Sequence, residues 1–288
     1  MRLKALFAIF IIILGGVFLF RNDILNFYSE FFQRLPQVEK TTADFLIEKV
    51  KKEVVAPQPL RATKEDPQSF LTQDGVIQWT NIRRERNGLF PLSENVKLNA
   101  TANIKLRDMF EKQYFAHMSP LGAGVGDLAV NVGYEFISIG ENLALGNFKD
   151  DEELVQGWMD SPGHRANILS SRYQDIGVAV GRGIFEGKST WLAVQIFGLS
   201  LSVCPQPEET LKAKIEIYES QLNELQKTLE SLQRKIKSMW PKRGLTYNKK
   251  VSEYNRLIGQ YKNLLRESRA LIVEYNGQIK LFNECAIK

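Results

Sequence analysis

Cysteine and histidine are both scarce, with two of each in 288 residues. Two cysteines exclude a disulfide-dense scaffold and a four-cysteine zinc module. No serine sits in a Gly-x-Ser-x-Gly elbow, and the glycines at 122, 124 and 126 are not continued by Gly-Lys-Ser/Thr. Neither an α/β-hydrolase nucleophile nor a phosphate loop is therefore indicated. An excess of one charge is also missing: 38 basic side chains face 33 acidic ones. The residues from 70 to 203 carry 12 basic and 15 acidic groups, so the most globular stretch lacks the positive field that nucleic acid requires. What remains is 44% hydrophobic and 25% charged, an ordinary globular composition.

The chain opens with Arg2 and Lys4, and residues 5–20 are apolar or glycine. No Ala-x-Ala cleavage pattern follows. This reads as an uncleaved signal anchor over residues 1–25, with the N-terminus inside and the remainder outside the cytoplasmic membrane. A secreted protein released by cleavage is the alternative. Residues 26–69 form a juxtamembrane segment and linker. A stripe over residues 24–35, of Ile24, Leu25, Tyr28, Phe31, Phe32 and Leu35, has helical spacing, either as an interfacial helix or as an extension of the anchor. Pro36 ends the stripe, and Pro57, Pro59 and Pro67 mark a tether, with room for a short helix over residues 45–54.

Residues 70–203 have the apolar density of a folded domain. Thr72 is placed to cap one helix, which stops at Gly88. Ser93 is placed to cap a second, with Val96, Leu98, Ala102, Leu106, Met109 and Phe110 inward. A third runs from Asp150 to Trp158. Two strands follow, around 176–181 and 191–197, and the second is apolar on both faces. Helices preceding a doubly covered sheet imply an α/β/α sandwich. From Leu211 to Met239 and again from Tyr247 to Phe282, apolar residues alternate at spacings of four and three. This is a coiled-coil seam interrupted at Trp240-Pro241-Lys242-Arg243-Gly244. Residues 204–288 therefore form either an antiparallel helical hairpin or the arms of a parallel dimer. In the hairpin, Cys204 and Cys285 meet at the base and form a disulfide outside the cytoplasm; two free thiols are the alternative.

Both histidines lie in short motifs. His117 belongs to Phe-Ala-His-Met-Ser-Pro and His164 to Ser-Pro-Gly-His-Arg-Ala-Asn-Ile-Leu, with Gly140-Glu141-Asn142-Leu143-Ala144 between them. Together with Gly157-Trp158-Met159, Ile176-Gly177-Val178 and the stretch from Trp191 to Gly198, these resemble the CAP superfamily. That superfamily comprises cysteine-rich secretory proteins, venom antigens, plant pathogenesis-related proteins and bacterial SCP-like relatives. The resemblance covers roughly residues 70–200 and implies an α+β fold: a three-layer α/β/α sandwich whose cleft holds two histidines and two acidic residues. It also implies that His117, Glu141 and His164 can bind a divalent metal such as zinc. The place of the second acid falls near Ser161, beside Asp160. The competing reading is that the histidines hydrogen-bond the backbone and organise the cleft. Ser161 and Pro162 suit the start of a helix, which puts His164 in its first turn and favours a neutral imidazole. Arg165, Asn167 and Asn142 read as structural hydrogen-bonders.

Three functions follow. The leading one is a non-enzymatic envelope module that binds a metal or small ligand in its cleft. The second is a metal-dependent hydrolase acting on an envelope peptide, lipid or glycan, with Glu141 as general base. The third is a spacer with a degenerate cleft. Residues 231–252 contain seven basic groups, no acid and Trp240. That tip either meets a partner protein or an anionic envelope polymer, or is simply solvated.

Overall fold

The computed structural model describes residues 52–287. The expected membrane span at residues 5–20, the stripe at 24–35 and most of the expected linker lie outside the described residues. Among those described, no helix is long and apolar enough to cross a membrane. The described residues fall into two compact units, residues 208–277 and residues 52–207 with 278–287.

The larger unit is built on a sheet of six strands: β1 (Glu53–Val55), β2 (Leu60–Arg61), β3 (Ser93–Glu94), β4 (Phe136–Leu145), β5 (Asp175–Phe185) and β6 (Lys188–Ser200). The order is β1-β4-β6-β5-β3, and β2 also pairs with the outer edge of β4. β4, β6 and β5 are antiparallel, whereas β1, β2 and β3 add in parallel. The β5–β6 hairpin turns through Glu186 and Gly187, both with positive φ, as a two-residue hairpin loop requires.

Alternation along the strands decides which helix packs where. Ile139 and Leu143 of β4, Ala179 of β5 and Leu192, Val194 and Ile196 of β6 point into one cluster with α2 (Val96–Lys112) and α3 (Val125–Asn131). Ala144, Ile176, Val178, Ala193 and Phe197 point the other way, against α1 (Gln73–Arg86), α4 (Asp151–Asp160) and α5 (Pro162–Ile168). The α2 helix lies unusually close to β5 because Gly177, Gly181 and Gly183 alternate beneath it. A Cβ on Gly177 would come within 2.2 Å of the Leu98 carbonyl carbon. On the opposite layer, the buried Arg84 donates to the carbonyls of Ile168 and Ser170 and so satisfies the C-terminal end of α5.

Several expectations need correction. Thr72 caps α1, its Oγ1 accepting from Gly75 N, but Ser93 does not cap α2. Ser93 and Glu94 pair with Asp175 and Ile176 instead, and Asn95 becomes the cap, leaving Val96 79% exposed. The sheet has four more strands than the period-two pattern revealed: β4, entirely buried, the short β3, and the two-piece edge formed by β1 and β2. Residues 53–55 and 60–61 are thus part of the sheet and not a tether, because they match an open edge that β4 leaves beside them.

The smaller unit holds most of two helices, α6 (Glu209–Ser238) and α7 (Leu245–Ile287), joined by six residues. Leu222, Leu229 and Leu232 share one buried cluster with Tyr254, Leu257, Tyr261 and Leu265. Within the larger unit, Cys204 and Cys285 are joined by a disulfide, with Cα atoms 5.6 Å apart.

The Gly177 contact is with backbone, which cannot swing aside. Gly177→Ala is expected to lower unfolding free energy by about 2–3 kcal/mol in urea denaturation, whereas Gly187→Ala at the solvent-facing turn costs less.

Candidate functional site

The residue types that the sequence singled out are distributed across both layers. β4 alternation sends Glu141 toward the α2 layer and Asn142 toward the α5 layer. His117 follows α2, and His164 sits in the first turn of α5. The two layers meet at the outer edge of β4. Glu141 is the centre of a strand.

Glu141 is fully buried. A carboxylate in that position is costly unless its charge is answered. His117 answers it: Nδ1 donates to Glu141 Oε2 at 2.5 Å. Beneath them Lys105 is also fully buried, its Nζ donating to the His117 carbonyl at 2.6 Å and lying 3.3 Å from the Tyr114 hydroxyl. Burial pulls the Lys105 ammonium below its ordinary pKa, while Glu141 and Asp108 pull it back up. Lys105 stands on the same helical stripe as Leu98, Ala102 and Met109, so a charge on an apolar face was the signal that could have found it.

His117 Nε2 donates to the main-chain carbonyl of Pro57. Both ring nitrogens therefore have a hydrogen-bond partner. His164 Nδ1 meets Ser161 Oγ at 2.8 Å, so Ser161 orients the imidazole and does not cap the helix with its side chain. Burial, and then the neighbouring His117, push His164 down to about 4. It is therefore neutral near pH 7, as its place at a helix N-terminus suggested. Asn142 and Asn167 act structurally. Asn142 Nδ2 donates to Gln195 Oε1 at 3.0 Å and to the His164 carbonyl at 3.3 Å. Asn167 Nδ2 donates to Asn142 Oδ1 at 3.0 Å, and Gln195 Nε2 to Thr80 Oγ1 at 2.7 Å. These amides form a buried chain of hydrogen bonds from α1 to α5. No acid takes the second place: Ser161 is bonded to His164, and the exposed Asp160 accepts from Gln156.

The metal expectation can be tested against these partners. Two buried atoms, Glu141 Oε1 and His164 Nε2, have no hydrogen-bond partner. However, His117 has no free nitrogen, and among the described residues no group of three or more His, Cys, Asp or Glu side chains is arranged to hold a metal. The residues as they stand do not fit a zinc ion.

Residues 77–197 match the cysteine-rich secretory protein family, CAP. YkwD of Bacillus subtilis is 40% identical over 116 residues, which are 40% of this chain and 43% of YkwD. YlbC of the same organism, named a membrane protein, is 30% identical over 130 residues, 45% of this chain and 37% of YlbC. The chain spans less than half the length of these relatives. Among solved structures, an extracellular SCP-domain protein of Bacillus anthracis is 29% identical, with 44% of this chain and 39% of that one covered and a TM-score of 0.38. A cysteine-rich secretory protein of Staphylococcus aureus is 24% identical, with 44% and 37% covered and a TM-score of 0.33. The family match and the similarity to YkwD support a CAP domain over residues 77–197.

Because the unfolded His164 takes up a proton near pH 6.5 and the folded one only near pH 4, its contribution is complete above pH 6.5. It is lost as pH falls through that window, by up to about 3 kcal/mol. Urea denaturation at pH 7.5 and pH 4.5 should show a smaller loss for His164→Gln than for the wild-type chain.

Proposed function

We propose that this protein is a membrane-anchored, extracytoplasmic CAP-domain module of the cell envelope that binds a ligand in the cleft between His117 and His164 without turning it over. In this reading residues 1–25 are the single-span anchor, with the N-terminus inside, and the residues from 26 to the start of β1 at Glu53 link it to the CAP domain, which ends at 203. Residues 204–288 form an antiparallel coiled-coil hairpin. The seven basic residues around Trp240, which is 88% exposed, offer a contact to an anionic envelope polymer or a partner protein. An envelope location is supported by the disulfide, a bond that persists in oxidising compartments, and by the membrane-protein name of YlbC.

The observation that carries the non-enzymatic reading is the state of Glu141. It is the carboxylate that would serve as general base, and it is fully buried and bonded to His117. No second acid accompanies it to protonate a leaving group, which a hydrolytic site uses in its acid–base work. The metal-dependent hydrolase keeps one observation in its favour, the unpartnered Glu141 Oε1 and His164 Nε2.

Elemental analysis of the purified full chain after dialysis against zinc separates the two. The binding module predicts substoichiometric zinc and no difference between wild type, His117→Ala and His164→Ala. One zinc per chain, lost in both variants, would overturn it in favour of the metal site.

A further inference from the structure

Between β1 and β2 the chain crosses the edge of β4 without pairing to it. Val55 lies opposite Gly140 and Leu60 opposite Ala144, so the crossing segment is one residue longer than the strand it follows. Pro57 and Pro59 have no N–H to offer a ladder there. The resulting arch stands beside Glu141 and Asn142 and bridges the two layers of the cleft. Its Pro57 carbonyl accepts from His117 Nε2. Its Pro57 ring lies on Gly163 of α5, where a Cβ would come within 2.6 Å of the Pro57 Cβ. The Val55 carbonyl accepts from Asn167 Nδ2 at 3.3 Å.

These contacts are of the kind that recognises a class of ligand: two main-chain carbonyls, an extended backbone and a proline ring over a glycine. The arch is also lightly held. β1 contributes three paired residues and β2 two, against nine between β4 and β6. Glu53 reaches Arg172 through an ion pair that is nearly half exposed on both sides, a contact of little strength, and Val54 is 50% exposed.

We propose that the cleft is a recognition site for an extended, proline-containing peptide that adds in parallel to the edge of β4, and that residues 53–61 occupy it in cis and yield to a competing peptide. This rests on the reading of the cleft as a ligand site and names the ligand class. Strand addition of this type draws affinity from main-chain hydrogen bonds and specificity from pockets for individual side chains. A tethered occupant enjoys an effective concentration in the millimolar range, so a peptide in solution competes poorly until the tethered copy is weakened.

The test uses the full chain and a fluorescein-labelled peptide of residues 52–62, titrated by fluorescence anisotropy in EDTA. The variant carrying Val55→Gly and Pro57→Gly should bind the peptide about tenfold or more tightly than the wild-type chain does. Adding Gly163→Val to that variant should return binding to the wild-type level, since the new side chain fills the proline's place. A folded weakened variant that binds no better than wild type would overturn the proposal, as would binding that Gly163→Val leaves unchanged. Should the weakened variant fail to fold, hydrogen exchange on the wild-type chain decides. Amides of residues 53–61 exchanging about a hundredfold faster than those of β4 would support a displaceable occupant; equal protection would overturn it. Metal content is a separate readout, so failure of the peptide arm and failure of the non-metal reading are told apart.

Discussion

A buried carboxylate at the centre of a strand sets the terms for everything around it. Glu141 sits at the centre of β4, beside the sheet edge formed by β1 and β2, with no exposure to solvent. Such a charge persists only where hydrogen bonds and an opposite charge replace water. His117 provides the hydrogen bond, and Lys105, equally buried, provides positive potential from below while holding the His117 main chain. The apolar stripe of α2 brings Lys105 to this position, and the run of glycines on β5 lets α2 approach closely enough to do so. Core packing and the polar site are therefore one construction.

The site also depends on topology. Alternate residues of one strand face opposite layers, so Glu141 and Asn142 point to different sides of the sheet. Imidazoles from the two layers can then meet only at the strand's free edge. Residues 53–61 cover that edge, and between β1 and β2 the segment with Pro57 and Pro59 passes Glu141 and Asn142 without pairing. On the far side, the amide chain through Asn142, Asn167 and Gln195 fixes α5 and leaves His164 neutral with one ring nitrogen unpartnered.

Much of this was legible in the residues. Thr72 as a cap and the α/β/α layering follow from local pattern. Three things were not. β4 was hidden because its Gly-Glu-Asn centre breaks the period-two alternation that marks a strand, although every one of its ten residues is buried. Ser93 looked like a cap because capping chemistry is local, whereas its pairing with Asp175 is a long-range event. The role of residues 53–61 was masked by proline, which reads as tether when seen alone and as an arch only beside an edge. Lys105 was visible in principle, as a charge on an apolar stripe.

The account stands or falls on the coupling between His117 and Glu141. A double-mutant cycle on the full chain, with His117→Ala, Glu141→Gln and both together in urea denaturation, measures it directly. Two partners of one buried, charge-assisted hydrogen bond should show a coupling energy of about 1.5–3 kcal/mol, the double variant costing much less than the sum of the single ones. Additive losses would mean that the two side chains are energetically independent, and the cleft described here would have no common centre.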